Sequence, residues 1–229
     1  MNNSQPIPWK RISVEAAAIV ASILLAFSID AWWQNRQIQI EEQEVLAGLK
    51  AEFVANHEVL TRHLVMHLQG IQSLEDILLV IENGQSRDAK SIVLAALFEM
   101  GAPVTTDLGN GTLSALLSSG RVEILTSRKL RTLLTAWNGV IGEVWDDQAN
   151  NAKMVLEIFV PYFLQENYSR YSIERSSGDP AAINRMLADE TFRHLVDTRY
   201  NYKTHLTGEF ERAIAASTEI IAEIENSLK

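Results

Sequence analysis

The sequence predicts an all-α protein, in which one N-terminal transmembrane helix continues into an antiparallel bundle of four to five helices. Apolar residues recur every three to four positions along most of the chain, which is the period of a helix packed on one side. Sustained two-residue alternation is missing, since the only strand-like piece, Arg121–Leu125, is too short to build a sheet. Near the N-terminus, one apolar run is long enough to cross a bilayer.

Composition narrows the possible functions. A chain of 229 residues with 47% hydrophobic content is sufficient for a packed core. It has no cysteine, which excludes disulfides, thiolate nucleophiles and cysteine-ligated metal centres. The net charge is -9 and the basic residues are scattered among acids, so no nucleic-acid partner is expected.

The transmembrane prediction rests on residues 12–33, which are mainly apolar and carry no charge between Ala16 and Ile29. A helix of about 20 residues crosses the ~30 Å hydrocarbon core of a bilayer, so this run is long enough. Glu15 and Asp30 lie near its ends, where their carboxylates can reach the headgroup layers. Aromatic and basic residues flank the run as interfacial anchors: Trp9, Lys10, Arg11, Trp32 and Trp33.

Basic residues set the expected orientation, because Lys10 and Arg11 outweigh the single Arg36 beyond the span. The positive-inside rule then makes residues 1–11 a cytoplasmic tail. Residues 34–229 become one extracytoplasmic domain, in which no internal repeat or low-complexity linker is visible.

Two alternatives to a permanent anchor stay open. A removable signal peptide would have a similar basic start and apolar core, with Ala26-Phe27-Ser28 as a tolerable cleavage site. A buried core helix of a soluble protein would be apolar as well. The Trp32-Trp33 pair, and the helix-forming sequence that continues unbroken to Leu49, favour the anchor over both alternatives.

One side of the predicted span carries small and polar residues. Small residues at four-residue spacing let two helices approach closely in lipid, and carboxylates in membranes usually face protein or water. This stripe is either a helix–helix contact face or an incidental pattern between two headgroup-facing acids, and both interpretations stay open. The stripe consists of Glu15, Ala18, Ser22, Ala26 and Asp30.

The first half of the extracytoplasmic domain is expected to contain three helices. Apolar spacing predicts one long helix over Val45–Ile81, which Asn83-Gly84 ends. A second helix covers Asp88–Met100, and a short third covers Leu113–Ser118 and ends at Gly120. The intervening glycine-containing loop lacks the following Gly-Lys-Ser/Thr of a phosphate-binding loop.

The second half is expected to contain two long helices. Ser127 caps the first, whose apolar face includes Trp137 and Trp145 as expected core anchors. Asp179-Pro180 combines an N-cap with proline at the first helical position, and it is expected to start the last long helix. The apolar face of that helix repeats from Leu206 to Leu228.

The stretches "ILLAFSIDAWWQNR" and "EVLAGLKAEFVANHEVL" resemble a family of bacterial single-pass membrane proteins of unknown function. The family closes its span with an Ala-x-x-Ile-[Asn/Asp]-x-Trp signature, and the matching positions here are Ala26, Ile29, Asp30 and Trp32. A second similarity lies in "LGNGTLSALLSSGRVEILTSRKLRTLL", through Leu116, Ser119, Gly120, Ile124, Leu130 and Arg131. The resemblance implies a bacterial inner-membrane protein with an N-terminal anchor and a periplasmic all-helical domain, and it supplies no catalytic residues.

Metal or cofactor chemistry has little support in the sequence, and no cofactor is expected. His63 and His67 lie one helical turn apart and can share a metal, but the glutamate of a zinc-protease helix is missing. A solvated helix face is the alternative for this weak metal candidate. Glu143, Asp146 and Asp147 form an acidic cluster that is either a cation site or ordinary solvated charge.

These observations favour a membrane-anchored, non-enzymatic interaction or accessory protein. It is expected to pack against itself or against another, larger membrane protein complex, with the lipid bilayer as its other partner. The alternative is a periplasmic helical bundle that senses a small ligand between its helices but lacks its own output domain. The short predicted cytoplasmic tail offers no transmitter, which favours the interaction role.

Overall fold

The computed structural model describes residues 9–84, 88–101, 105–168 and 180–229. These ranges are built from helices and short connections, and no strand is found in them. The all-α prediction is therefore confirmed.

Helix α1, Trp9–Asn83, is one uninterrupted helix of 75 residues. Its side chains from Ile19 to Ile40 are exposed, and packing against the rest of the protein begins near the buried Glu42. Helix α1 ends where Gly84 adopts a left-handed φ of 81°. The predicted stop at Asn83-Gly84 is confirmed, because glycine adopts this conformation without a steric penalty.

Two shorter helices follow: α2, Ala89–Gly101, and α3, Gly111–Ser118. Gly120, with φ of 68°, then leads into a 3-10 turn at Arg121–Ile124. The strand-like piece of the sequence is therefore a helical turn. Its apolar residues pack against the core, and the described residues contain no strand to pair with it.

Helix α4, Arg128–Met154, begins at the predicted cap, where Ser127 Oγ accepts a hydrogen bond from the Leu130 amide at 3.1 Å. It continues through a π-helical turn, Val155–Phe159, into α5, Val160–Gln165. Proline within a helix removes one donor and its ring collides with the carbonyl four residues earlier. The wider turn directly before Pro161 relieves that conflict.

The last part of the chain forms two helices, α6, Pro180–Leu187, and α7, Glu190–Ser227. The prediction of one continuous last helix from Asp179-Pro180 is wrong. Asp189 forms a new N-cap, since its Oδ1 accepts hydrogen bonds from the amides two and three residues later at 2.8 and 3.3 Å. Residue 179 lies outside the described part of the chain.

The long helices α1, α4 and α7 pack side by side, with α7 antiparallel to the other two. Lys50, near the start of the packed part of α1, pairs with Glu225 near the end of α7 at 2.8 Å. At the other end, the Tyr200 hydroxyl donates to Glu75 at 3.1 Å. Lys129, in the first turn of α4, pairs with Glu219 of α7 at 2.8 Å.

The apolar interior is divided into two clusters. The proximal core, next to the exposed part of α1, joins α1 to α3, α4 and the C-terminal half of α7 around Leu49, Phe53 and Phe210. The distal core joins the end of α1 to α2, the π-helical turn, α5, α6 and the start of α7.

The two tryptophans of α4 have different surroundings. Trp137 is only 3% exposed and packs edge-on against Phe53, with 5.1 Å between ring centroids, so it is a core anchor as predicted. Trp145 is 41% exposed, and its prediction as a core anchor is wrong. It follows the buried Val144, and one residue along a helix turns the side chain by about 100° away from the core.

Candidate functional site

Between Ile19 and Trp33, every side chain of α1 is exposed. Its large apolar residues from Ile19 to Trp33, which form the anchor segment, are each between 50% and 68% exposed. This helix is long and apolar enough to cross a membrane. The core helix of a soluble protein buries at least one face, and no such face is present among the described side chains of the anchor segment.

The predicted stripe lies within this exposed region. Glu15, Ser22, Ala26 and Asp30 are all exposed, whereas the side chain of Ala18 lies outside what the structure describes. Asp30 Oδ2 accepts a hydrogen bond from Gln34 Nε2, one turn nearer the bundle, at 2.8 Å. This hydrogen bond ties the Asp30 carboxylate to the side of the helix that leads into the bundle.

The predicted interfacial anchors are described only at one end of the span. Trp32 and Trp33 are 64% and 56% exposed, with their ring centroids 6.4 Å apart. The side chains of Trp9, Lys10 and Arg11 lie outside the described residues. Exposed indole rings at the end of an apolar run match the side chains that lie at membrane headgroups.

A layer of buried polar side chains separates the proximal core from the distal core. Helices α1, α2, α4 and α7 all contribute to this polar layer, together with the loop before α3. Polar groups buried between helices need hydrogen-bond or ion-pair partners. Substitutions in this layer are therefore expected to be tolerated poorly. Its members are His67, Glu99, Thr106, Gln148, Asn151, Arg199 and Lys203.

Arg199 is the most deeply buried charge in the polar layer, with no exposed surface. Its Nε and Nη2 donate to the main-chain carbonyl of Glu99 at 3.0 and 2.8 Å, and its Nη1 donates to Asn151 Oδ1. The guanidinium also lies 6.0 Å from the ring centroid of Phe159. Burial lowers the pKa of Arg199 to about 10, which leaves it charged at neutral pH.

Lys203, one turn further along α7, forms an ion pair with the Glu99 carboxylate. The lysine is 2% exposed and the carboxylate 17% exposed. Burial lowers the pKa of Lys203, while the Glu99 carboxylate opposes that shift. This pair lies directly against Gly70 of α1, where an added Cβ would lie 2.3 Å from both Glu99 Oε2 and Lys203 Nζ.

His67 faces this cluster without a hydrogen bond. It is 1% exposed, and neither ring nitrogen has a hydrogen-bond partner among the described residues. Its ring packs on Phe210, with 5.0 Å between centroids. Burial, and then the charge of Lys203, lower the pKa of His67 to about 3, so the ring is neutral at physiological pH.

The predicted metal pair, His63 and His67, packs inside the bundle beside Phe210. His63 Nδ1 lies 3.2 Å from Thr106 Oγ1, and its ring stacks on Phe210 with 6.3 Å between centroids. Within the part of the chain that the structure describes, no third metal-ligating residue gathers with His63 and His67. The alternative of a solvated helix face is wrong for His67, which is buried.

The glycine-containing loop before α3 is held by side chains of α1 and α4. Gln148 exchanges two hydrogen bonds with Thr106, at 2.9 and 2.6 Å. Glu52 accepts from the amides of Thr112 and Leu113, at 2.6 and 3.2 Å. Since a carboxylate of the same chain occupies the N-terminus of α3, this loop is a capped connection rather than a phosphate cradle.

A second group of polar residues lies beside the polar layer, where α4 and α7 meet. Asp147, His205 and Glu209 place one ligand atom each within 4.8 Å of one another. Asp147 belongs to the acidic cluster recognised in the sequence, whereas Glu143 and Asp146 are exposed. The two α7 residues were missed, although their spacing of four positions puts them on one helix face.

An open groove of about 720 Å³ lies where the anchor segment meets the bundle. It runs between α1 and the C-terminal end of α7, and Arg36, Ile40, Leu228 and Lys229 are among its lining residues. This groove lies at the surface, next to the predicted membrane boundary.

No protein-family model, curated protein or solved structure matches this chain. The resemblance to bacterial single-pass membrane proteins is therefore a prediction that rests on the quoted sequence motifs alone. Within the described residues, the geometry establishes an all-α chain with one helix able to span a membrane.

Proposed function

We propose that this protein is a membrane-anchored, non-enzymatic interaction or accessory protein, which packs against itself or against a larger membrane protein complex. Its N-terminus lies in the cytoplasm, its anchor spans the bacterial inner membrane, and its antiparallel bundle of four to five helices lies in the periplasm. The observation that carries the proposal is helix α1, which leads without a break from an exposed apolar segment into the packed bundle.

The continuity of α1 supports a role in presenting a fixed surface. A helix rises about 1.5 Å per residue, so the first packed residue, Glu42, lies about 14 Å beyond Trp33. A helical connection holds the bundle at a constant height and orientation above the bilayer. A flexible tether would suit a domain that searches for its partner, whereas a rigid one suits a domain already positioned against a membrane neighbour.

The surface of the bundle supports the same proposal. Several large apolar side chains around the distal core are at least half exposed, although single exposed apolar residues are normal on soluble proteins. Together with the exposed apolar side chains of the anchor segment, they give a neighbouring protein apolar surface both within and outside the bilayer. These residues are Leu79, Phe98, Leu156, Ile158 and Leu164.

The absence of cysteine from the sequence allows a position-specific test. Ser22→Cys and Ala26→Cys lie on the stripe, and Leu24→Cys on the opposite side of the helix is the matched control. Native membranes are treated with a thiol-reactive crosslinker, and the products are identified by mass spectrometry. We expect the stripe variants, and not the control, to give a crosslinked dimer or an adduct with one other membrane protein.

A second readout uses the double substitution Ser22→Leu with Ala26→Leu. The added bulk should reduce recovery of the dimer or partner after mild detergent extraction, because the helices can no longer approach closely. A protein that stays monomeric and co-purifies with nothing, or one that crosslinks equally at all three cysteine positions, would contradict the proposal.

A further inference from the structure

Asp147 on α4 and His205 and Glu209 on α7 form a compact group of metal-ligating side chains. His205 Nε2 lies 3.5 Å from Asp147 Oδ2 and 3.8 Å from Glu209 Oε1. We propose that these three residues bind a divalent first-row transition-metal ion, with Zn²⁺ as its representative. This site is independent of the interaction role proposed above.

The spacing of the ligand atoms matches that of atoms sharing one ion. Ligands bound at about 2.1 Å with near-tetrahedral angles lie about 3.4 Å from each other. The two nitrogen-to-oxygen distances at His205 are close to this value, and they exceed the roughly 2.7–3.2 Å of a good hydrogen bond. The three side chains therefore lie close together without short hydrogen bonds from His205 to either carboxylate.

The fold brings the three ligands together for simple reasons. His205 and Glu209 are four positions apart on α7, so they lie one above the other on the same helix face. Antiparallel packing of α4 on α7 places Asp147 opposite them. The Tyr202 hydroxyl donates to the main-chain carbonyl of Asp147, which holds the two helices in this register.

The three ligand side chains are buried to different degrees. The Glu209 carboxylate is only 7% exposed and Asp147 is 21% exposed, whereas His205 is 65% exposed. A buried carboxylate needs a cation or hydrogen-bond donors, because it has lost most of its water. The open side at His205 leaves the remaining coordination positions of an ion to water.

Arg212 is the competing cation at this site. It forms an ion pair with Glu209 Oε1 from a side chain that is 67% exposed. The arginine end of the pair is exposed although the carboxylate is buried, and a metal ion that reaches Glu209 supplies the positive charge that the arginine gives up. Removing Arg212 is therefore expected to strengthen metal binding.

The donor set selects the kind of ion. Mg²⁺ and Ca²⁺ prefer ligands that are all oxygen, whereas an imidazole nitrogen beside carboxylates suits Zn²⁺ and its transition-metal neighbours. We therefore expect Zn²⁺ to bind more tightly than Mg²⁺.

The test is titration of the full-length, metal-stripped protein in detergent with Zn²⁺, followed by calorimetry. We expect one ion per chain. His205→Ala and Glu209→Gln should each weaken binding at least about tenfold, which is the lower range for loss of even an outer-shell partner. His194→Ala, an exposed histidine on the same helix, is the matched control and should leave binding unchanged.

Arg212→Ala separates a metal site from a plain ion-pair cluster. We expect this variant to bind Zn²⁺ several-fold more tightly, because the competing cation is gone. Melting temperatures in metal-free buffer establish that each variant is folded. No Zn²⁺ binding by the unmodified chain, or binding that survives His205→Ala and is lost in His63→Ala with His67→Ala, would overturn the proposal.

Discussion

Arg199 donates two hydrogen bonds to the main-chain carbonyl of Glu99, from Nε at 3.0 Å and from Nη2 at 2.8 Å. Glu99 lies in the last turn of α2, where carbonyl groups lack a partner within the helix. The C-terminal end of a helix also carries partial negative charge, which attracts cations. Arg199 therefore acts as a C-terminal cap for α2, supplied by a helix that is distant in the sequence.

The first prediction concerns the charge of Glu99. Glu99→Gln removes the carboxylate that pairs with Lys203, and it leaves two buried cations facing a neutral amide. We expect the free energy of unfolding to fall by about 3–5 kcal/mol, the usual cost of breaking a buried ion pair from one side. Denaturant unfolding of the full chain in detergent at neutral pH measures this change.

Glu58→Gln is the matched control for that substitution, because Glu58 is an exposed glutamate of α1. A surface change of this kind should alter the free energy of unfolding by less than about 0.5 kcal/mol. Equal effects of the two substitutions would show that the Glu99 carboxylate does not stabilise the polar layer.

The second prediction concerns the close approach of α1 at Gly70. Alanine normally stabilises a helix relative to glycine, but a Cβ at Gly70 would lie 2.3 Å from Glu99 Oε2 and Lys203 Nζ. Both side-chain ends would have to move from their buried positions. We expect Gly70→Ala to lower the free energy of unfolding by about 1–2 kcal/mol, as overpacked sites do.

Gly139→Ala provides the comparison, since a Cβ at this position of α4 meets nothing within 4 Å. It should raise the free energy of unfolding by up to about 1 kcal/mol through helix propensity alone. The prediction is therefore a difference in sign between two identical substitutions, measured by the same denaturant unfolding. Two increases in stability would contradict the close packing at Gly70.

Helix ends that depend only on neighbouring residues could be predicted from the sequence. The end of α1 at Asn83-Gly84 and the cap of α4 at Ser127 both follow from short-range preferences, and both are confirmed. The break at Asp189 was missed although aspartate is a good cap. Because Pro180, nine residues earlier, already supplies a start signal, the sequence predicts no second start at Asp189.

The polar layer was not predicted, because it depends on several helices meeting at one level. Arg199 and Glu99 are 100 positions apart, and nothing in the sequence states that they pair. One signal was nevertheless present. Arg199 and Lys203 continue the three-to-four spacing of the apolar face between Val196 and Leu206, so two cations lie on the buried side of α7.

The third prediction concerns His67 and acid. The folded chain holds the pKa of His67 at about 3, whereas the ordinary value is 6.5. Between these values the unfolded chain binds a proton that the folded chain does not, so stability falls as the pH falls from about 6.5 to about 3. His67→Leu removes this proton linkage, and it also removes two buried ring nitrogens that have no hydrogen-bond partner among the described residues.

We expect His67→Leu to unfold with a higher free energy than the unmodified chain at about pH 7.5. The advantage should grow by about 2 kcal/mol on lowering the pH to about 5. Comparing the two proteins at each pH cancels the titration of groups common to both. His194→Leu, at an exposed position of α7, is the control for exchanging a histidine for leucine on the surface. A constant difference between the two proteins across this pH range would rule out a strongly lowered pKa for His67.

The fourth prediction concerns the anchor segment. Ile23→Arg with Leu24→Arg puts two charges at the middle of the apolar run, where each costs about 2.5–3.5 kcal/mol during insertion. Val65→Arg with Leu68→Arg is the matched control, since both residues are 49% exposed on the packed part of the same helix. We expect alkaline carbonate to release the first variant from membranes and to leave the control and the unmodified chain in the pellet. Release of the unmodified full-length chain, or retention of all three proteins, would contradict a spanning helix at residues 12–33.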